Sequence, residues 1–124
     1  MEEILIVDSD HAIRSMLTYT LTTEHFSVLE ARDGIEAFSR LSAGLNPDLI
    51  ITGLNVHRNE GVSFIRKIRT TPDLRFTPIL MLTDDHTQYR QLEWKEAGAT
   101  GWITVPFTSD ELLEMVKIVI FKKA

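Results

Sequence analysis

The chain has 124 residues, 44 % hydrophobic and 25 % charged, the proportions of a soluble globular protein with enough length to bury a core. A formal net charge of −5, with no basic cluster longer than Lys122-Lys123, argues against binding to phosphate backbones, so no nucleic-acid partner is expected. No cysteine is present for a disulfide or thiolate metal site, no apolar stretch approaches a span of about 18 residues, and Met1-Glu2-Glu3 lacks the positive start of a signal peptide. A cytoplasmic location away from membranes is the expectation.

Short apolar runs alternate with helix-period segments along the whole chain. Ile4-Val7 reads as the first strand. Ile13, Met16, Leu17 and Leu21 then recur at helical spacing, with Asp10 as N-cap for a helix over Ala12-Leu21. Phe26-Glu30 is a weaker strand near a sheet edge. Ile35, Phe38, Leu41 and Leu45 line the second helix, closed by the stretch from Gly44 to Pro47. Leu49-Ile50-Ile51-Thr52, opened by Pro47-Asp48, reads as a parallel strand buried on both faces. Phe64, Ile65 and Ile68 mark the third helix, and Pro78 introduces the strand Ile79-Leu82. Tyr89, Leu92 and Ala97 carry the fourth helix, stopped at Gly98. Trp102-Thr104 is the fifth strand, and Ser109 caps a last helix through Phe121. Five strands and five helices in strict alternation, joined by right-handed crossovers, predict a three-layer αβα sandwich forming one domain over 1–124.

In such a sheet the ligand crevice lies beyond the carboxyl ends of the strands. Gly53 stands there, after Thr52, and offers no side chain. The segment Pro47-Asp48-Leu49-Ile50-Ile51-Thr52-Gly53, followed by Glu60-Gly61, resembles the centre of the response regulator receiver domain (CheY-like superfamily). The resemblance extends over essentially the whole chain and implies a flavodoxin-like (βα)5 fold with a five-stranded parallel sheet in order 2-1-3-4-5. It also implies a place in two-component (phosphorelay) signal transduction.

Receivers of this family carry an acidic pair after the first strand, which holds Mg²⁺. A phosphoryl-accepting aspartate follows the third strand, a Ser or Thr the fourth, and Lys-Pro the fifth. The run Ile4-Leu5-Ile6-Val7-Asp8-Ser9-Asp10 puts Asp8 at the first acidic position and a neutral serine, Ser9, at the second. The acceptor lies eight residues before the glycine of an Asp-Gly pair, which is Gly53. Thr83 matches the hydroxyl position. Pro106, 23 residues on, matches the proline and is expected in the cis form, but Val105 stands where the lysine belongs. Losing acceptor, second acid and lysine together strands no buried charge. The resemblance therefore implies a degenerate pseudo-receiver that is not an enzyme, has no catalytic residue and binds Mg²⁺ weakly or not at all; Asp8 and Asp10 are poor metal candidates.

His57 replaces a proline in the loop Val56-His57-Arg58-Asn59-Glu60-Gly61, and His11, His25 and His86 show no metal-ligand spacing. Asp84 is either an anionic stand-in beside the site or, like Asp85, a cap for the next helix. Trp102 matches the family's switch aromatic. On the last helix Leu112, Leu113, Met115, Val116, Val119 and Ile120 share one arc, whereas Ile118 and Phe121 lie about 240° and 180° away at roughly 100° per residue. Trp94 is about 200° from Leu92. Trp94, Trp102, Ile118 and Phe121 are therefore the interface candidates.

The leading expectation is a phosphorylation-independent protein–protein interaction or dimerisation module. Its partner would be a histidine kinase, another receiver or an output protein, with a homodimer as a further form. One alternative is a receiver phosphorylated at Asp8, Asp10 or Asp84; another is the N-terminal regulatory part of a larger regulator with an output domain. A flavin or nucleotide enzyme on the same fold is disfavoured, because Asp8-Ser9-Asp10-His11 is acidic and has no glycine-rich phosphate cradle.

Overall fold

The computed structural model describes residues 2–53, 58–84 and 88–121, with 58–61 and 88–91 described by their backbone. The expectations at Val56, His57, Asp85, His86 and Lys122-Lys123 lie outside the described residues. The elements are β1 (Glu3–Val7), α1 (His11–Thr23), β2 (Ser27–Ala31), α2 (Gly34–Ser42), β3 (Leu49–Thr52), α3 (Arg58–Thr70), β4 (Ile79–Thr83), α4 (Gln88–Ala97), β5 (Gly101–Thr104) and α5 (Ser109–Phe121). A 3-10 turn over Pro72–Leu74, absent from the sequence reading, follows α3. Residues 58–61, expected within a loop, open α3 instead.

All strands are parallel, in the order β2-β1-β3-β4-β5, so β2 is the edge strand that its weaker pattern suggested. Side chains alternate across the pleat with period two. Leu5, Val7, Ile50, Ile79 and Met81 face a core with α2, α3 and α4. Ile4, Ile6, Leu49, Ile51, Leu80 and Leu82 face a second core with α1 and α5. This double burial is why the strands read as continuous apolar runs rather than alternating ones.

Capping explains the helix starts. Asp10 Oδ1 accepts from the Ile13 amide at 3.1 Å, and Asp33 Oδ1 accepts from the Glu36 amide at 2.8 Å. For α5 the cap is Thr108, not Ser109. Its hydroxyl accepts from the Glu111 amide and Glu111 Oε1 accepts from the Thr108 amide, each at 3.1 Å. The segment Thr108-Ser109-Asp110-Glu111 is thus a capping box, and only Thr108 has the acid three residues ahead. His25 ends α1 in the left-handed region (φ 69°), its amide donating to the Thr22 carbonyl at 3.0 Å.

Helix phase holds on α5 and inverts on α4. Leu112, Val116 and Val119 are buried, while Ile118 and Phe121 are exposed, as the arc predicted. On α4, Trp94 is only 7 % exposed and Leu92 55 %, so the expected outward tryptophan points into the core. The reason is that Trp94 shares a face with Ala97, about 60° away at roughly 100° per residue, and that face meets Trp102 on β5. Met16 and Ile35, expected on inner faces, are exposed; the inner positions are Leu17 and Leu21 on α1 and Ala37 and Leu41 on α2.

Arg69 ties the amino-terminal side of the sheet together. Its Nε donates to the Gly98 carbonyl at 2.9 Å, and Nη1 donates to the carbonyls of Thr77 (2.7 Å), Leu74 and Arg75 (3.2 Å each). Burial holds its pKa below the ordinary guanidinium value. Gly98 has φ +115°, and a Cβ there would lie 2.7 Å from Arg69 Cγ, so two independent constraints require glycine.

Candidate functional site

The carboxyl ends of the central strands place together the residues that the sequence spacing singled out. In the register, Val7 of β1 pairs with Thr52 of β3, and Thr52 pairs with Met81 of β4. The next residues, Asp8 and Gly53, are therefore neighbours, and the Gly53 amide donates to the Val7 carbonyl at 2.7 Å. Thr83 ends β4 and is buried. Its carbonyl accepts from the Val105 amide at 2.8 Å, which brings the Val105–Pro106 segment alongside. The Val105–Pro106 peptide bond is cis.

Asp8 is completely buried and held at both its side chain and its main chain. Oδ1 accepts from the Asp10 amide at 2.8 Å, and the Asp8 carbonyl accepts from Arg14 Nη1 at 2.7 Å. Arg14 in turn pairs through Nε with Glu30 Oε1 at 3.1 Å, and Thr18 donates to Glu30 Oε2 at 2.9 Å. A hydrogen bond from the Asp10 amide replaces water at Oδ1, and this builds the buried carboxylate into the start of α1.

The decisive contact lies between Asp8 and Gly53. A Cβ built on Gly53 would overlap Asp8 Oδ2 and Cγ, as the Asp8 side chain is placed, and would lie 2.8 Å from Asp8 Cβ. The Asp8 carboxylate therefore fills the space in which a side chain at residue 53 would begin. The sequence offered Asp84 as an anionic stand-in, but Asp84 is exposed and the carboxylate beside Gly53 belongs to Asp8. Composition and spacing gave no signal for this, because it depends on the side-by-side register of β1 and β3. Arg14 was likewise missed, since a single arginine on a helix reads as solvated surface.

The remaining candidates separate. Ser9 is exposed, and Asp10 spends its carboxylate on the Ile13 amide. Trp102 is half-buried against Trp94, with ring centroids 6.2 Å apart and planes inclined by 58°. Trp94 therefore lacks the exposure on which its selection as an interface residue rested. Ile118 and Phe121 are 44 % and 79 % exposed on the outer side of α5. Among the described residues, no group of three or more His, Cys, Asp or Glu side chains could hold a metal ion, and no helix is long and apolar enough to cross a membrane.

Chemotaxis protein CheY1 of Helicobacter pylori is 29 % identical over 119 residues, covering 95 % of this chain and 96 % of that protein. Response regulator MprA of a Mycobacterium species is 34 % identical over 114 residues, where the chain spans about half (48 %) of the relative's length. The structure of chemotaxis response regulator CheY4 of Vibrio cholerae superposes with a TM-score of 0.88 at 35 % identity, covering 96 % of this chain and 98 % of that one. The family model for the response regulator receiver domain matches residues 4–117, and the chain belongs to that family, a receiver of two-component signalling.

Proposed function

We propose that this receiver works without accepting a phosphoryl group at residue 53 and signals as a protein–protein interaction module. One observation carries the reading: the end of β3 has no side chain, and the Asp8 carboxylate fills the space where one would begin. The neighbouring positions agree with it. Ser9 supplies a neutral hydroxyl and Val105 an alkyl group where the family has an acid and a lysine, so a transferring phosphoryl group would meet neither metal ligand nor counter-charge. Mg²⁺ prefers carboxylate oxygens in a near-octahedral set, and a single carboxylate already engaged with the Asp10 amide is a poor basis for one. The domain is accordingly not an enzyme. Phosphorylation at Asp8 is opposed by its complete burial, and at Asp10 by its capping bond.

The partner is a protein of the same signalling class: a histidine kinase, another receiver, an output protein or a second copy. The outer side of α5, with Phe121 and Ile118, is the surface we assign to it. The test is incubation of the purified chain with acetyl phosphate and Mg²⁺, followed by intact-mass and peptide mass spectrometry. The expected result is an unchanged mass; an acid-labile phosphoryl adduct on any aspartate refutes the reading.

A further inference from the structure

We infer that the end of α3 and the turn after it form a docking surface, remote from the crevice, for an acidic segment of a partner protein that carries an apolar side chain beside its carboxylates. Charge segregation is the first observation. Residues 62–76 hold four of the thirteen basic residues of the chain and one of its eighteen acidic ones, a local charge of +3 within a total of −5. Arg66, Lys67 and Arg75 are exposed, and among the described residues none of them pairs with a carboxylate; the ion pairs Arg14–Glu30 and Arg32–Glu36 lie elsewhere. Lys67 Nζ instead lies 5.2 Å from the centre of the Phe38 ring, and Arg75 Cζ lies 5.8 Å from that of Phe76. Only Arg69 is consumed internally, by the four carbonyls described above.

The second observation is Phe76, 77 % exposed on a turn that is otherwise fixed. Leu74 and Thr77 are buried on either side of Arg75 and Phe76, and Arg69 Nη1 donates to the carbonyls of Leu74, Arg75 and Thr77. The hydroxyls of Thr70 and Thr71 both donate to the Lys67 carbonyl at 2.9 Å, which closes the end of α3. The ring and its cations thus stand on backbone that is already ordered, so a partner meets a preorganised surface. Arg66 joins the same surface, three residues before Arg69 on α3. A singly exposed ring needs no explanation, but a ring rimmed by three cations has the apolar centre and polar border of an interface. Three cations match two or three carboxylates of a peptide. A nucleic acid or an anionic membrane presents an extended lattice of charge, and the −8 carried by the rest of the chain opposes its approach. The turn leads into the start of β4, at the end of the sheet opposite Asp8 and Thr83, so this surface does not rest on the function proposed above.

The probe is a synthetic peptide of repeated Glu-Glu-Leu, titrated into the isotope-labelled full chain at low ionic strength and followed through amide chemical shifts. Shifts are expected to centre on residues 66–76, with affinity falling as salt is added. Arg66→Glu/Lys67→Glu/Arg75→Glu is expected to weaken binding about tenfold or more, and Arg66→Gln/Lys67→Gln/Arg75→Gln by a smaller factor. Phe76→Ala is expected to weaken it about threefold or more through lost apolar contact. All these side chains are exposed, so the urea midpoint should stay in place and report that each variant is folded. A Gln-Gln-Leu peptide should leave the spectrum unchanged, and a Glu-Glu-Ser peptide should bind more weakly than Glu-Glu-Leu. Absence of shifts with Glu-Glu-Leu, shifts centred on the crevice or on α5, or undiminished binding by the charge-reversed variant overturns the assignment. Tighter binding of duplex DNA or of phosphatidylglycerol vesicles than of the peptide also overturns it, as does a dimer in sedimentation that charge reversal dissolves, because the occupant is then a polyanion or a second copy.

Discussion

Replacing Trp94 by alanine tests the packing of α4 against β5. A tryptophan side chain removes about 150–250 Å² from water, which at about 25 cal/mol per Å² corresponds to about 4–6 kcal/mol. Trp94 is 7 % exposed, so nearly all of that area is engaged in the fold. The figure is an upper bound, because the unfolded chain already shields part of its apolar surface. The tilted pair with Trp102, at 6.2 Å, contributes about 0.5–1.5 kcal/mol beyond area alone. Trp94→Ala is therefore expected to cost about 3–5 kcal/mol, a large share of the stability of a domain this size. Leu92→Ala, on the exposed side of the same helix, is expected to change stability by less than about 0.5 kcal/mol. Urea unfolding followed by far-ultraviolet circular dichroism measures both without relying on tryptophan emission. A cost below about 1 kcal/mol for Trp94→Ala, or a larger cost for Leu92→Ala, would show that the outward reading of Trp94 was right after all.

Four further outcomes follow from named contacts. Arg69→Met removes the donors to the Gly98, Thr77, Leu74 and Arg75 carbonyls and is expected to cost about 2–4 kcal/mol in urea unfolding, with Arg69→Lys recovering only part of it. Thr108→Ala should lose about 1 kcal/mol through the capping box, while Ser109→Ala should lose much less; equal effects would contradict the assigned cap. His25→Gly is expected to raise stability by about 0.5–1 kcal/mol, because glycine adopts φ 69° without a Cβ penalty, and a thermal shift reads the gain. Ile118→Ala/Phe121→Ala should change monomer stability by about 0.5 kcal/mol or less yet weaken capture of a protein partner, and unchanged capture would remove α5 from the interface. Trp94→Ala is unsuitable for that capture experiment, since it would disturb the core.

Much of the fold was legible because parallel strands buried on both faces and amphipathic helices each leave a periodic trace. The third strand, its proline-led start and the glycine at its end could be located residue by residue, and α5 could be phased correctly from six apolar positions. The phase of α4 could not. Leu92 and Trp94 lie on nearly opposite sides of that helix, so its own pattern defines no single apolar stripe, and the neighbouring Trp102 breaks the tie. The Arg69 staple was equally invisible, because its acceptors are backbone carbonyls contributed by separate segments, and carbonyls carry no sequence signature.

The amino-acid sequence by itself determined the alternation of strands and helices and the residue types at the strand ends: Asp8, Ser9, Gly53, Thr83 and Val105. Those identities are local and covalent, and no fold can alter them. Only the tertiary structure decided what occupies the crevice. The register of β1 against β3 sets Asp8 beside Gly53, 45 residues apart in the chain, and burial with the Asp10 amide fixes the carboxylate in the space that glycine leaves. A position that in sequence is only a missing side chain is, in the folded domain, a space taken up by the carboxylate of a neighbouring strand.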